Sequence, residues 1–549
     1  MNNLNNSNEE VFLNRFDKFE CHLNSNIFRY FFVNNSFVLE TEFKGNCLIT
    51  LDMREIYDFD DQGRIYNIYV KKGCIVIEYN KYLNNFLDNL NYKRYLVIKT
   101  NLDIDEKNSF QILNKWKEVL YQEDEKRKSY PWKLYIYEAL KFKVDKKARF
   151  VFNYSENLDL AIEKVKSDFN KPYEEKTKFF NLKNDKISIE KSFAFNCAVK
   201  SFFDLYVKFD DNDVFGFYAG LPWFFQIWAR DELISLKALK SIYEFEKNEI
   251  YIELGKKILL DRINKIDETG KLPNRFPLSE LDSADATGWL YNRIFEFLEY
   301  FSQKELSNIR EKLEKSVLSF KNNMQDYLIK NKANETWMDT SFENDTREGF
   351  RIEIQALWLS MLRLANYIDR LLIKKQTYYE FEEVVREKVK KDFFENGTLK
   401  DGKDDNTIRP NLFLACYVYP ELLTKEEWES VFDKAIERLW LDWGGFSTID
   451  KNHRLFSPYY TGEDNKSYHR GDSWFFLNNI AAICMCKINK EKYKSYIDKI
   501  IESSTYDILY DGAIARPSEL SSANNQEANA SLFQLWSAAT YIELLTIYK

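Results

Sequence analysis

The sequence predicts an α+β multidomain protein: an N-terminal antiparallel β-sandwich followed by an (α/α)6 barrel. Three observations predict it. At 549 residues the chain exceeds what one hydrophobic core usually organises. Its apolar residues alternate in the first part of the chain and take up helical spacing in the second. Beyond that change, the connections between helical segments are long and short by turns. The boundaries read this way are 1–165 for the sandwich, 166–187 for a helical linker and 188–549 for the barrel.

In the first domain, GRIYNIYVKKGCIVIEYN (63–80) alternates polar and apolar residues around Lys71-Lys72-Gly73, which reads as a hairpin. YKRYLVIKTNLDI (92–104) and KARFVFNYSEN (147–157) continue in that style. Short strands separated by polar turns point to an antiparallel sandwich. A helical insertion is read around 111–121.

In the second domain, FRIEIQALWLSMLRLANYIDRLL (350–372) puts Ile354, Leu357, Trp358, Met361, Leu364, Ala365 and Ile368 on one face of a helix. Arg363, Asn366 and Arg370 lie on the other. Twelve such segments are expected, at 188–208, 232–246, 249–267, 286–303, 305–330, 351–372, 377–394, 407–421, 425–440, 472–487, 491–504 and 529–547. Long segments follow at 209–231, 268–285, 331–350, 395–406, 441–471 and 505–528, with only short turns between them. Antiparallel helices return to the same end at every second connection, so all the long segments are expected at one end. Twelve helices wound this way form a double ring, and long loops in a compact domain usually carry function.

Composition narrows the function. The net charge of −8 disfavours a nucleic-acid partner, which needs a positive surface. The seven cysteines are scattered with no C-x-x-C pair, so neither a disulfide framework nor a zinc site is suggested. The opening MNNLNNSNEEVFLNRF lacks an apolar stretch of signal-peptide length, and no apolar run reaches membrane-spanning length. A cytoplasmic protein that touches no membrane is expected. With three histidines, a histidine metal centre or a serine triad is poorly supported, and no cofactor or metal is expected.

The long segments share a vocabulary of Trp, Arg, Asp, Glu and Asn. The first holds LPWFFQIWARDE (221–232), the second LPNRF (272–276) and DSADATGWLYN (282–292). The third carries NETWMDTSFEND (334–345), and IRPNLF (408–413) follows the fourth. The fifth ends in YHRGDSW (468–474), and the sixth contains PSEL (517–520). Flat aromatic faces and planar hydrogen bonders suit a neutral polyhydroxylated ring. Chemistry on a sugar acetal needs two carboxyl groups, one acid and one base, and no cofactor.

Taken in order over roughly 190–549, these motifs resemble the amylo-α-1,6-glucosidase domain of glycogen debranching enzymes, an (α/α)6 family related to the glucoamylases. The resemblance implies that Asp339 is the general acid and Glu519 the general base of an inverting hydrolysis. It implies that Arg230 and Asp231 grip hydroxyls of the terminal glucose, with Trp228, Asp285, Trp337, Glu353, His469 and Trp474 lining that subsite. The implied partner is an α-glucan, glycogen or a branched dextrin. The sequence departs from the family at Ala229, Leu412, Arg470 and Asp472, where WGRD, RPNQ and YHQGTVW are usual.

Plainer roles compete at each position. Asp231 is also placed to cap the helix that follows, and Glu353 to pair with Arg347 or Arg351. His469 is equally suited to a satisfied core. Glu335, Glu343 and Asp345 are local rivals of Asp339, and Glu527 of Glu519. The expected activity is release of glucose from α-1,6 branch stubs. A glucoamylase-type exo-α-1,4-glucosidase, a trehalose hydrolase and a non-catalytic polysaccharide-binding protein are the alternatives.

Overall fold

The structure, a computed structural model, describes residues 10–15, 18–23, 26–82, 92–104, 110–174, 180, 182, 187–208, 214–277 and 282–549. The chain divides into two compact units, 1–179 and 180–549. Much of the linker expected at 166–187 lies outside the described residues, as do 209–213 and 278–281 of the first two long connections.

The first unit is built from antiparallel strands: β1 Glu10–Arg15, β2 Lys18–Leu23, β3 Asn26–Val33, β4 Ser36–Glu42, β5 Gly45–Leu51, β6 Arg64–Lys71, β7 Cys74–Lys81, β8 Tyr92–Thr100, β9 Phe110–Leu120, β10 Lys133–Val144 and β11 Lys147–Ser155. Eight of them form one sheet in the order β1-β2-β3-β4-β11-β8-β7-β6, and β5-β10-β9 form a second. The β6–β7 hairpin closes through Lys72 and Gly73, whose φ of 54° and 71° give the two left-handed positions of a tight hairpin turn. Ile75, Ile77, Ile98 and Phe150 of the large sheet share a core with Leu140, Phe142 and Val144 of the small one. The intervening residues Val76, Val97 and Val151 face the other way, onto Ala161, Ile162 and Val165. Those three belong to α2 (Leu158–Asp168), which follows the short α1 (Gln122–Arg127). Burial on both faces explains why β7 reads as a nearly continuous apolar run. The helix expected at 111–121 is instead β9, because pairing with β10 claims its backbone across a bulge at Glu138/Leu140.

The second unit is helical: α3 Ile189–Asp204, α4 Ala229–Ser235, α5 Lys237–Glu246, α6 Ile250–Asn264, α7 Ala286–Glu296, α8 Gln303–Asn323, α9 Ile352–Leu372, α10 Tyr379–Phe393, α11 Asn411–Val418, α12 Lys425–Leu439, α13 Phe475–Asn489, α14 Lys494–Tyr510 and α15 Leu535–Tyr548. The α4–α5 pair, α7, α9, α11, α13 and α15 pack each on the next, and α15 packs back on α4 and α5. These helices, α5 apart, are buried on most faces; every residue of α11 is. The alternate helices carry one apolar stripe, such as Leu306, Ile309, Leu313 and Val317 of α8. Capping boxes, Ser302 with Glu305 and Thr424 with Glu427, start α8 and α12 immediately after short turns.

The six long connections are tied into a closed circuit by backbone hydrogen bonds. The first meets the second where Ala229 N–H donates to Asn274 O (2.8 Å), and the second meets the third through Ala284 N–H and Glu335 O (2.9 Å). Ile352 N–H donates to Asp401 O (3.1 Å), and Asp450 N–H to Ile408 O (3.0 Å). Phe475 N–H donates to Glu519 O (3.2 Å), and Leu535 N–H to Ala219 O (2.9 Å), returning to the first connection. This circuit delays the last helix. The segment expected to be helical from 529 begins at Leu535, because Phe533–Gln534 pair with Gly220–Leu221 first. Among the described residues no helix is long and apolar enough to cross a membrane.

Candidate active site

Arg230 and Asp231 lie in the first turn of α4, held there by the ladder between Ile227–Trp228 and Arg275–Phe276. The Arg230 Nε donates to Asp285 Oδ2 (2.7 Å) and Nη1 to Asp339 Oδ2 (3.3 Å). Asp285 is fixed in turn by Ser283 Oγ (2.5 Å). One buried guanidinium therefore joins the first, second and third connections. Asp231 makes no capping bond, since the helix begins before it and its N-cap is Trp228. Its carboxyl is pushed up to about 8, by burial first, against the pull of Arg230 and with the help of Asp339 and Glu519. Asp231 thus lies within electrostatic reach of both residues expected to act as acid and base.

The third connection presents Asp339 and buries its neighbours. Thr336, Trp337 and Met338 are inaccessible, whereas the Asp339 side chain keeps 40% of its surface. Trp337 Nε1 donates to Asn411 Oδ1 (2.7 Å), and Thr336 Oγ1 accepts from Arg347 Nη1 (2.7 Å). On the other side Thr340 Oγ1 is bonded to His469 Nδ1 (2.8 Å). Desolvation raises the Asp339 pKa, Arg230 opposes that, and Asp285 adds to it, leaving it above the ordinary carboxylate range. Accessibility and poor hydration coexist where a carboxyl lines a recess that solvent reaches from one side.

Its rivals are otherwise engaged. Burial would raise Asp345, but Arg409 and Arg470 more than reverse this and hold it below the ordinary range. Glu343 pairs with Arg454 at the surface, and Glu335 accepts from Lys332 N–H.

Glu519 is buried in the sixth connection. Its Oε1 accepts from Tyr468 Oη (2.7 Å) and its Oε2 from Ser531 N–H (2.9 Å). Its own N–H donates to Ser531 O (2.7 Å), and Leu520–Ser521 pair with Ser473–Trp474 and Ala528–Asn529. Two donors suit an acceptor-only carboxylate. Glu527, its rival, is exposed.

An aromatic cluster links the connections that carry Asp339 and Glu519, with His469 bonded to Thr340 and Tyr468 to Glu519. His469 stacks on Trp474 (5.1 Å between centroids), and Trp337 stands edge-on to both. The Trp474 Nε1 donates to Tyr468 O (2.8 Å), which seats the Tyr468 ring beside Glu519. Burial and four surrounding arginines push His469 well below its ordinary pKa, so it stays neutral. Trp228 is half-buried, covered on one side by the Arg275 guanidinium.

Glu353 is not brought to this group. Both of its oxygens accept from Arg347 (2.8 and 3.2 Å), which also binds Asp401. This buried ion cluster supports Thr336 from behind. Sequence reading missed the roles of Tyr468, Asn411, Asp401, the Arg470–Asp345 pair and Gln534, whose Nε2 donates to Asp231 Oδ1 (3.5 Å). Tyr468, Asn411 and Arg470 all stood within the quoted motifs, and that position was the available signal. Among the described residues no cluster of His, Cys, Asp and Glu is arranged to hold a metal ion.

Comparison with known proteins adds a family. A family model described as amylo-alpha-1,6-glucosidase matches residues 200–543, more than half of the chain. No curated protein matches. Among solved structures, a bacterial glucoamylase complexed with acarbose aligns with a TM-score of 0.59 at 10% identity, covering 98% of this chain and 85% of that one. At that identity the likeness shows a shared fold. A GH63 mannosylglycerate hydrolase from Thermus thermophilus, in complex with glucose, aligns at 0.47 and 13% identity, covering 63% of this chain and 98% of its own.

Proposed function

This chain belongs to the amylo-α-1,6-glucosidase family, and from that premise we propose that it releases glucose from α-1,6 branch stubs of glycogen-like α-glucans with inversion. The helical unit is read as an (α/α)6 barrel whose long-connection end holds the site. One observation carries the reading. Asp339, accessible and bonded to Arg230, and Glu519, buried and held by two donors, both come to the first turn of α4, where Gln534, which follows the connection carrying Glu519, donates to Asp231.

In this reading the protonated Asp339 gives its proton to the glycosidic oxygen as the bond to the anomeric carbon breaks. Glu519 takes a proton from a water molecule, which attacks that carbon from the opposite face. The carboxyls of such a pair stand about 6.5–9.5 Å apart, leaving room for the water. Arg230 and Asp231 hold hydroxyls of the terminal glucose, and Asp285 keeps the Arg230 guanidinium in place. Trp228, Trp337, His469 and Trp474 shape the apolar walls, while Glu353 acts through Arg347 on the acid's connection. We place the activity in the cytoplasm.

Proton NMR of the first product from a branched limit dextrin tests this. β-Glucose, formed faster from stubs than from linear maltooligosaccharides or trehalose, is the expected result. α-Glucose as first product would sink inversion, and equal rates on linear chains would sink branch specificity. Binding of glycogen with no product would leave a polysaccharide-binding protein.

A further inference from the structure

A recess of about 290 Å³ opens on the helical unit and shares no lining residue with the groups described above. One wall is α14, which contributes Lys499, Glu502, Tyr506 and Tyr510; Trp443 and Gln526 contribute to the other side. Tyr506 and Tyr510 are four residues apart and so lie one above the other on the helix surface. Their ring centroids are 5.8 Å apart with planes inclined by 49°. The two rings are 48% and 59% exposed. Single exposed aromatics are ordinary, but two adjoining rings beside a Trp-lined recess form a platform.

The polar equipment points to a neutral ligand. Lys191 and Lys499 balance Glu190 and Glu502 in the lining. Among the described residues the side chains of Lys191, Lys499 and Glu502 make no hydrogen bond or ion pair, so their donors and acceptors are available to a ligand. Ring faces with hydrogen bonders at their edges suit a sugar, whose C–H face is apolar and whose rim is hydroxylated. The inclination narrows the choice. An α-glucan chain curves, so successive glucose rings present their faces at an angle, whereas a flat β-glucan would favour coplanar rings.

The recess also abuts the connection that carries Glu519. Trp443 Nε1 donates to Ala523 O (3.3 Å). Gln526 is locked to α14 by Nε2 to Ser503 O (2.8 Å) and by Ser503 Oγ to its Oε1 (3.0 Å).

We propose that this recess is a second α-glucan-binding site, in which Tyr506 and Tyr510 carry a curved glucan chain and retain the polymer at the protein. The proposal rests on the α-glucan reading above for its ligand, but its test reads binding and not turnover. Retention by glycogen in affinity electrophoresis is measured in an Asp339→Asn background, so that the polysaccharide is not consumed. Tyr506→Ala/Tyr510→Ala is expected to weaken retention about tenfold, and Tyr506→Phe/Tyr510→Phe, which keeps the rings, to preserve it. Maltoheptaose is expected to compete and a cello-oligosaccharide not to. Undiminished retention of the alanine pair, or equal competition by the cello-oligosaccharide, overturns the site. If the wild type hydrolyses nothing yet the alanine pair loses retention, the site stands and the hydrolase reading falls.

Discussion

Arg470→Gln is expected to loosen the connection that carries Asp339. Arg470 is 1% exposed and binds across two connections. Its Nε donates to Asp345 Oδ2 (2.7 Å), and its Nη2 to the carbonyls of Thr340 (2.8 Å) and Asp345 (2.7 Å). Its Nη1 donates to Asn465 O (3.0 Å) and Thr340 Oγ1 (3.3 Å). Removing one partner of a buried ion pair costs about 3–5 kcal/mol. Asp345 keeps Arg409 at 2.8 Å, which favours the lower end. Each buried acceptor left unpaired adds about 1–3 kcal/mol unless it relaxes. A loss of roughly 3 kcal/mol of stability is therefore expected. Thr340 directly follows Asp339, and a misplacement of about 1 Å costs about 10²-fold in rate. Urea denaturation and kinetics on a limit dextrin are the assays, with kcat expected to fall and KM to change little. Arg470→Lys, which keeps the charge but not the fork, should lie between. An unchanged urea midpoint together with kcat within about twofold of wild type would refute the reasoning.

Asp339→Asn and Glu519→Gln are each expected to lower kcat by about 10²–10⁴ while glucan binding persists, as single-turnover assays would read; full activity in either removes that residue from the mechanism. Burial raises Asp231 and Asp472 to about 8 and Asp507 to about 7. Below about 4 the unfolded chain is protonated at these sites too; as pH rises from there to about 8 the folded protein holds more protons, so stability falls over that window. Thermal unfolding should be higher at the acid end of the window, and Asp472→Asn, which removes one such group, should flatten the decline. Glu353→Gln should lower stability and kcat with KM nearly unchanged, because its oxygens are committed to Arg347; a dominant rise in KM would assign it to substrate instead.

How much of this was legible varies with range. The change of period marked the switch from sheet to helices, and the alternation of connection lengths anticipated where the long segments meet. Asp339 was singled out by the resemblance of its motif to the family, and the structure buries the neighbouring Thr336, Trp337 and Met338 while leaving its carboxyl accessible. Three features were not legible. The partner of Phe110–Leu120 lies further along the chain, at Lys133–Val144, and pairing overrode local propensity. The start of α15 depends on Gly220–Leu221, more than three hundred residues away in sequence. For Glu353 the sequence offered Arg347 or Arg351 as a partner, and only the fold selects Arg347. Each depends on which groups meet in the fold, and hydrophobic period carries no information about it.

Pairing of this kind also bears on the Asp339 carboxyl beside Arg230. At an effective dielectric of about 20, unit charges at the observed separations of 2.7 Å to Asp285 and 3.3 Å to Asp339 attract by about 6 and about 5 kcal/mol. Distance alone gives a preference of only about 1 kcal/mol, less than one pKa unit. Asp285 also accepts from Ser283 Oγ, and it is 1% exposed, whereas Asp339 is 40% exposed and its attraction to Arg230 is screened further. Arg230 thus spends its charge on Asp285 and leaves Asp339 free to hold a proton. Asp285→Asn should reverse this. The guanidinium then turns to Asp339, and a negative charge that raised the Asp339 pKa is gone, so both changes lower it. In the proposed mechanism Asp339 works only while protonated, so the alkaline limb of kcat/KM should move to lower pH. A limb that stays in place, or moves up, would mean that Arg230 and Asp285 do not set the acid's protonation.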